Sequence, residues 1–137
     1  FDLYGINNIQ PIWADSFLKS ISNAKMGVNL SRGNPIKYYS SDRITQLIGN
    51  GLLTFIHKDT LYNNFFSNSE VVFYSNLSNL SEKIQKFARD DILRRKIAKK
   101  GKLKYMKFFN STIVADYIIN NTFNNKYKRD KYKWDDR

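Results

Sequence analysis

The chain has 137 residues, enough for one domain with a real core, and 15% aromatic against 26% charged residues marks a packed rather than a disordered chain. It has no cysteine, which excludes disulfides, thiolate metal sites and a cysteine nucleophile, and its only histidine, His57, excludes a two-histidine metal site. The net charge of +11 is uneven: residues 1–91 carry nine Lys/Arg against eight Asp/Glu, and residues 92–137 carry fourteen against four. Sixteen Asn and sixteen Lys beside seven Arg are what an AT-rich genome encodes, so basicity alone is weak support for a polyanionic partner. No apolar run is as long as a transmembrane helix, and no signal peptide is visible.

In chain order, Phe1 to Tyr4 before Gly5 reads as a short strand, so the chain begins abruptly and reads as a fragment of a larger protein. From Pro11 to Ala24, the spacing of Ile12, Trp13, Phe17, Leu18 and Ile21 predicts an amphipathic helix packed on a sheet, with Asp15 and Lys19 paired on its polar side. Met26 to Leu30 is a strand, and Asp42 to Asn50 a helix burying Ile44, Leu47 and Ile48 and stopping at Gly51. The continuous apolar run Leu52 to Ile56 predicts a strand buried on both faces.

Asp59 is expected to cap a short helix carrying Leu61, Tyr62, Phe65 and Phe66, and Val71 to Tyr74 is the next strand. Ser78 is the expected cap of a helix with Leu80, Ile84 and Phe87 on one face. Asp90 and Asp91 open a basic helix from Ile92 to Phe109. Asn110 or Ser111 caps a last helix with Ile113, Val114, Tyr117, Ile118 and Phe123. Alternation of strand and helix through residue 90 predicts an α/β fold, a Rossmann-like parallel sheet with helices on both faces, ending in C-terminal helices. Residues 1–123 form the domain, and 124–137 are expected to be a basic, flexible tail, loosely ordered or docked elsewhere.

The informative stretch is Gly27 to Phe55, where a strand runs into a polar loop and then a capped helix. In open α/β sheets ligands bind outside the carboxyl ends of the strands, where Asn29, Ser31, Arg32 and Gly33 fall. Arg43, on the first turn of the following helix, either binds a phosphate bidentately or pairs with Asp42 or Asp59. Gln46, one turn on, points into the crevice or into solvent. His57 is the one candidate imidazole base, or an ordinary loop residue. Phosphate-loop, GxGxxG, GxSxG and HExxH motifs are absent. Lys99 to Lys107 interleaves lysines with Leu103, Tyr105 and Met106, which suits an anionic membrane surface better than a nucleic acid, or is a plain solvated face.

The order of these segments resembles the C-terminal, donor-binding domain of GT-B glycosyltransferases, in the group-1-like branch that includes spore-maturation-type proteins. The resemblance is carried by Val28-Asn29-Leu30-Ser31-Arg32, by Arg43 to Thr54, by Leu61 to Phe65, by Glu70 to Ile84 and by Ile97 to Met106. It implies a nucleotide-sugar donor in the crevice, bound by Asn29, Ser31, Arg32, Gly33, Arg43, Gln46, Gly51 and His57. Arg43 matches the arginine opening the family's helix, and Gly51 a glycine turning beside the nucleotide. Gln46 stands where related enzymes hold a ribose-binding glutamate, and Tyr38 where a second glutamate lies eight residues earlier.

The resemblance also implies glycosyl transfer to a glycan, lipid or other acceptor in cell-envelope polysaccharide synthesis. No cofactor or metal is required in this domain, and the acceptor and its base belong to a missing N-terminal domain. A cytoplasmic location with peripheral contact at the inner face of an anionic membrane, and no specific nucleic acid, complete the expectation. The alternative is a non-enzymatic basic module binding nucleic acid or an anionic membrane through residues 92–137.

Overall fold

A computed structural model describes residues 4, 7–30, 33–39, 41–127 and 131–134. Three strands, β1 (Met26–Asn29), β2 (Leu53–His57) and β3 (Val72–Tyr74), form a parallel sheet in the order β1-β2-β3. Met26 pairs with Leu53, Asn29 with Ile56, Phe55 with Val72 and His57 with Tyr74. Around the sheet lie α1 (Ala14–Asn23), α2 (Asp42–Gly49), α3 (Leu77–Arg89), α4 (Asp91–Phe108) and α5 (Ser111–Thr122). This is the expected Rossmann-like α/β class. The expected Phe1–Tyr4 strand lies outside the described residues, apart from Tyr4.

Alternation along the strands divides the core. On one face Leu53, Phe55, Val72 and Tyr74 pack with Leu80 and Phe87 of α3 and with Ile97 and Ala98 of α4. On the other, Ile56 and Val71 pack with Ile44 and Ile48 of α2 and with Tyr62 and Phe66. β2 is therefore buried on both sides from Leu53 to Ile56, which is why its sequence is apolar without alternation. Gly27 lets α2 lie against β1, since a Cβ there would stand 2.3 Å from Leu47 Cδ2.

α4 serves both faces. Its first half supplies Ile97 and Ala98 to one core, and Tyr105 and Phe109, which follows the helix, pack against the other. Gly101, between them, marks the crossing beside the amino end of β3: a Cβ there would lie 2.2 Å from the Glu70 carbonyl oxygen. The Glu70 carboxylate accepts from the Ser67 amide at 2.8 Å and pairs with Lys104 at 2.9 Å. Burial pushes this carboxyl up, but the Ser67 bond and the Lys104 charge outweigh it and hold the group below the usual glutamate range.

Several local expectations are corrected. Asp59 does not cap a helix; the His57 ring accepts from the Asp59 amide, and the chain forms two 3-10 turns, Lys58–Thr60 and Tyr62–Asn64, around Leu61 at φ 57°. The cap of α3 is Asn76 rather than Ser78, its side chain accepting from the Asn79 amide at 2.9 Å. Asp90 caps α4 and Asn110 caps α5 in the same way. α1 is not packed into the core: none of its residues is buried, and its N-cap Trp13 is 74% exposed. The Asp15–Lys19 pair is not among the ion pairs of the described residues.

α5 buries none of its residues fully, and Phe123 is 71% exposed. In the tail, Tyr132 is buried and bonds Asp116, and Lys131 pairs with Asp116 at 2.7 Å, so residues 131–134 are docked on α5 rather than loose.

Two measurements check the α4 crossing. Gly101→Ala should cost about 1–3 kcal/mol in urea unfolding despite alanine's better helix propensity, because its Cβ meets backbone. Gly49→Ala meets nothing nearer than Met106 Cε at 4.0 Å and should gain roughly 0.4–1 kcal/mol. Because the Glu70 pKa is depressed in the fold, its contribution is present above the unfolded value and is lost as pH falls from about 5 through the folded value. Glu70→Gln should therefore flatten the acid side of a thermal-stability profile.

Candidate functional site

At the carboxyl edge of the sheet, the loop through residues 33–39 is tied to the turn after β2 by the Tyr38 amide, and the amino end of α2 is tied to the end of β1 by Arg43. α2 starts here because Ser41 takes the extended N-cap geometry, φ −127° and ψ 164°. Its hydroxyl makes no capping bond, so the first turn keeps free amide donors. Arg43 does not pair with Asp42 or Asp59, the alternative to a phosphate contact; its Nη1 donates to the Leu30 carbonyl, clamping α2 onto the end of β1 while the side chain stays exposed.

Two buried oxygens at this edge, Asn29 Oδ1 and Ser41 Oγ, have no hydrogen-bond partner among the described residues. Asn29 is only 2% exposed, and an orphaned amide oxygen there costs about 1–3 kcal/mol. By alternation, Asn29 shares the α2 face of the sheet with its partner Ile56. That the Ser41 hydroxyl makes no capping bond is visible only in the fold.

The residues read from the sequence are not one cluster. Asn29 and Arg43 come together through Leu30. Gly33, at φ 72°, lies in the exposed loop with nothing within 4 Å of where a Cβ would be. Gln46 is half-buried one turn along α2. Ser31 and Arg32 lie outside the described residues.

Gly51 is at the other end of the sheet: it precedes β2, and roughly 13 Å separates the two ends of that strand. His57 is at the carboxyl edge but on the opposite face, edge-on to Tyr74 at 5.2 Å. Its Nε2 bonds the Ser75 carbonyl at 2.9 Å, which requires a proton on Nε2, and Nδ1 accepts from the Asp59 amide at 3.3 Å. Both nitrogens are thus engaged in holding the connections after β2 and β3. Burial pushes the neighbouring Tyr74 phenol up, so it stays neutral.

Tyr38 holds the residue 33–39 loop. It sits at φ 55°, its amide donates to the Thr60 carbonyl at 2.8 Å, its hydroxyl accepts from Asn64, and its ring packs on Phe65 at 5.0 Å. It also borders an aromatic cavity of about 520 Å³ with Tyr62, Phe65, Tyr105, Phe109 and Trp134. Among the described residues no group of three His, Asp or Glu is placed to hold a metal ion, and no helix is long and apolar enough to cross a membrane.

A parallel sheet flanked by helices, with a helix amino end at the carboxyl ends of its strands, defines a Rossmann-like α/β domain. The model of the glycosyl transferase-like family matches residues 1–120, and the chain belongs to that family. Comparison with curated proteins and with solved structures returns no match.

If the Asn29 oxygen is unpaired in the free protein, Asn29→Leu should raise unfolding free energy by about 1 kcal/mol in urea denaturation. A loss of stability of that size would mean the oxygen is satisfied.

Proposed function

We propose that this chain is the donor-binding domain of a glycosyltransferase of the GT-B, group-1-like kind. The observation that carries the reading is the buried, unpartnered Asn29 oxygen beside the amino end of α2, in a chain of the glycosyl transferase-like family. A nucleotide sugar lies along the carboxyl edge. Its diphosphate takes the free amides of the first turn of α2 and the Arg43 guanidinium, which is exposed on its outer side. Asn29 and Ser41 supply oxygens to sugar or ribose hydroxyls, and the Gln46 amide oxygen accepts one ribose hydroxyl more weakly than a carboxylate would.

In the reaction, the bond from the anomeric carbon to the diphosphate breaks, with the electron pair leaving on the diphosphate. The acceptor oxygen bonds to that carbon and gives its proton to a base. Cationic and amide donors placed where charge grows on the leaving group stabilise the transition state. The acceptor and the base belong to a separate acceptor domain of the same protein, and no cofactor is assigned to this domain.

Titration of the ¹⁵N-labelled chain with UDP, GDP and ADP tests the reading. At least one nucleotide should shift the amides of Gly33, Asp42 and Arg43 and leave Gly51 still. Arg43→Gln should then weaken binding by roughly tenfold or more. No shift at the carboxyl edge with any of the three would sink the proposal.

A further inference from the structure

The amino end of the sheet carries a second concavity, of about 380 Å³, between the α1–β1 connection, the turn after α2 and the first half of α4. Its lining is strongly cationic: Lys25, Arg94, Arg95, Lys99 and Lys102. Arg94, Ala98 and Lys102 recur at intervals of four and so share one side of α4, with Arg95 and Lys99 beside them. Ala98, in their midst, is too small to fill the space. Gly51 also lines the concavity; it adopts φ 81°, and a Cβ there would sit 3.3 Å from Lys102 Cδ, so the glycine lets the lysine stem lie over the turn.

Among the described residues the charges are only partly neutralised from within. Asp91 is shared by Arg94 and by Arg95, whose Nε stands 2.6 Å from its Oδ2. Arg94 is buried and also contacts the Phe87 carbonyl at 3.4 Å, so its paired guanidinium is fixed in the wall. Among the described residues Lys25, Lys99 and Lys102 have no carboxylate within 4.0 Å. Like charges around a concavity repel one another and raise a positive potential within it. An anion placed there relieves that repulsion, and ammonium groups on flexible stems hold phosphate as point charges.

We propose that this concavity is a second anionic site, separate from the carboxyl edge, that binds a phosphate monoester or diphosphate group on a soluble molecule or on a lipid headgroup. Its size of about 380 Å³ suits a single headgroup rather than the backbone of a duplex nucleic acid. The proposal does not depend on the donor reading, since the two sites lie at opposite ends of the sheet.

The test uses the whole 137-residue chain and inorganic pyrophosphate. Pyrophosphate should shift the amides of Gly51, Lys99 and Lys102, and Lys99→Gln/Lys102→Gln should weaken that binding roughly tenfold or more. A Lys86→Gln/Lys107→Gln control should leave it unchanged. No shift at millimolar pyrophosphate, or an equal loss in the control, would overturn the site.

Sedimentation with phosphatidylcholine vesicles, with and without phosphatidic acid, separates the sources. Acid-dependent co-sedimentation abolished by the Lys99/Lys102 variant supports a lipid headgroup, and pyrophosphate binding without co-sedimentation supports a soluble ligand. Duplex DNA binding that the variant reduces while pyrophosphate shifts nothing in the concavity would also overturn it.

Discussion

The close approach of α4 to the Glu70 backbone is the contact on which the rest of the structure depends. A helix of 18 residues, about 27 Å long, must pass from one face of a narrow sheet to the other, and it does so where only a hydrogen projects, at Gly101. Lys104, one turn further on, fastens the crossing to the Glu70 carboxylate. Without that seat, Ile97 and Ala98 could not complete one core while Tyr105 and Phe109 complete the other. Glu70 thus contributes twice, through a main chain that accepts a close neighbour and a side chain that holds it.

The same crossing sets the polarity of the molecule. Because α4 runs past the amino ends of the strands, its arginines and lysines gather there, and the carboxyl edge is left to α2 and the residue 33–39 loop. The carboxyl edge is short of donors for its own buried oxygens, and the amino edge is short of anions for its cations. The two unmet needs differ in chemistry. Arg43, a cation at the carboxyl edge, is held there by the Leu30 carbonyl rather than by a carboxylate.

The class of fold was legible because it rests on local signals: the continuous apolar run of β2, the spacing of Ile44, Leu47 and Ile48, and the acidic opening of α4. The site was legible in part. Asn29 and Arg43 were placed together at the carboxyl edge because strand ends and helix starts are readable from pattern. Gly51 and His57 lie apart from them for geometric reasons. A glycine after a helix says that the chain turns but not at which end of the sheet, and a histidine after a strand shows its edge but not its face, which the pairing with Tyr74 decides.

The cationic hollow was visible only as a charge run, since Lys25 is distant in sequence from Lys99 and Lys102 and only the fold joins them. The lack of burial in α1 was hidden as well, because periodicity records a helix's apolar stripe and not whether a surface is left for it.

Burial of β2 on both faces has a consequence for how such a chain diversifies. Substitutions at Leu53 and Phe55 are felt in one core and those at Ile56 in the other, so drift along the whole strand is confined to residues of matching shape. The loop through residues 33–39 carries no such double burden, being tied down mainly through Tyr38. Lineages that change ligand are therefore expected to differ in that loop and at the start of α2 while keeping an almost unaltered β2, so that divergence of function leaves its record in a few exposed positions.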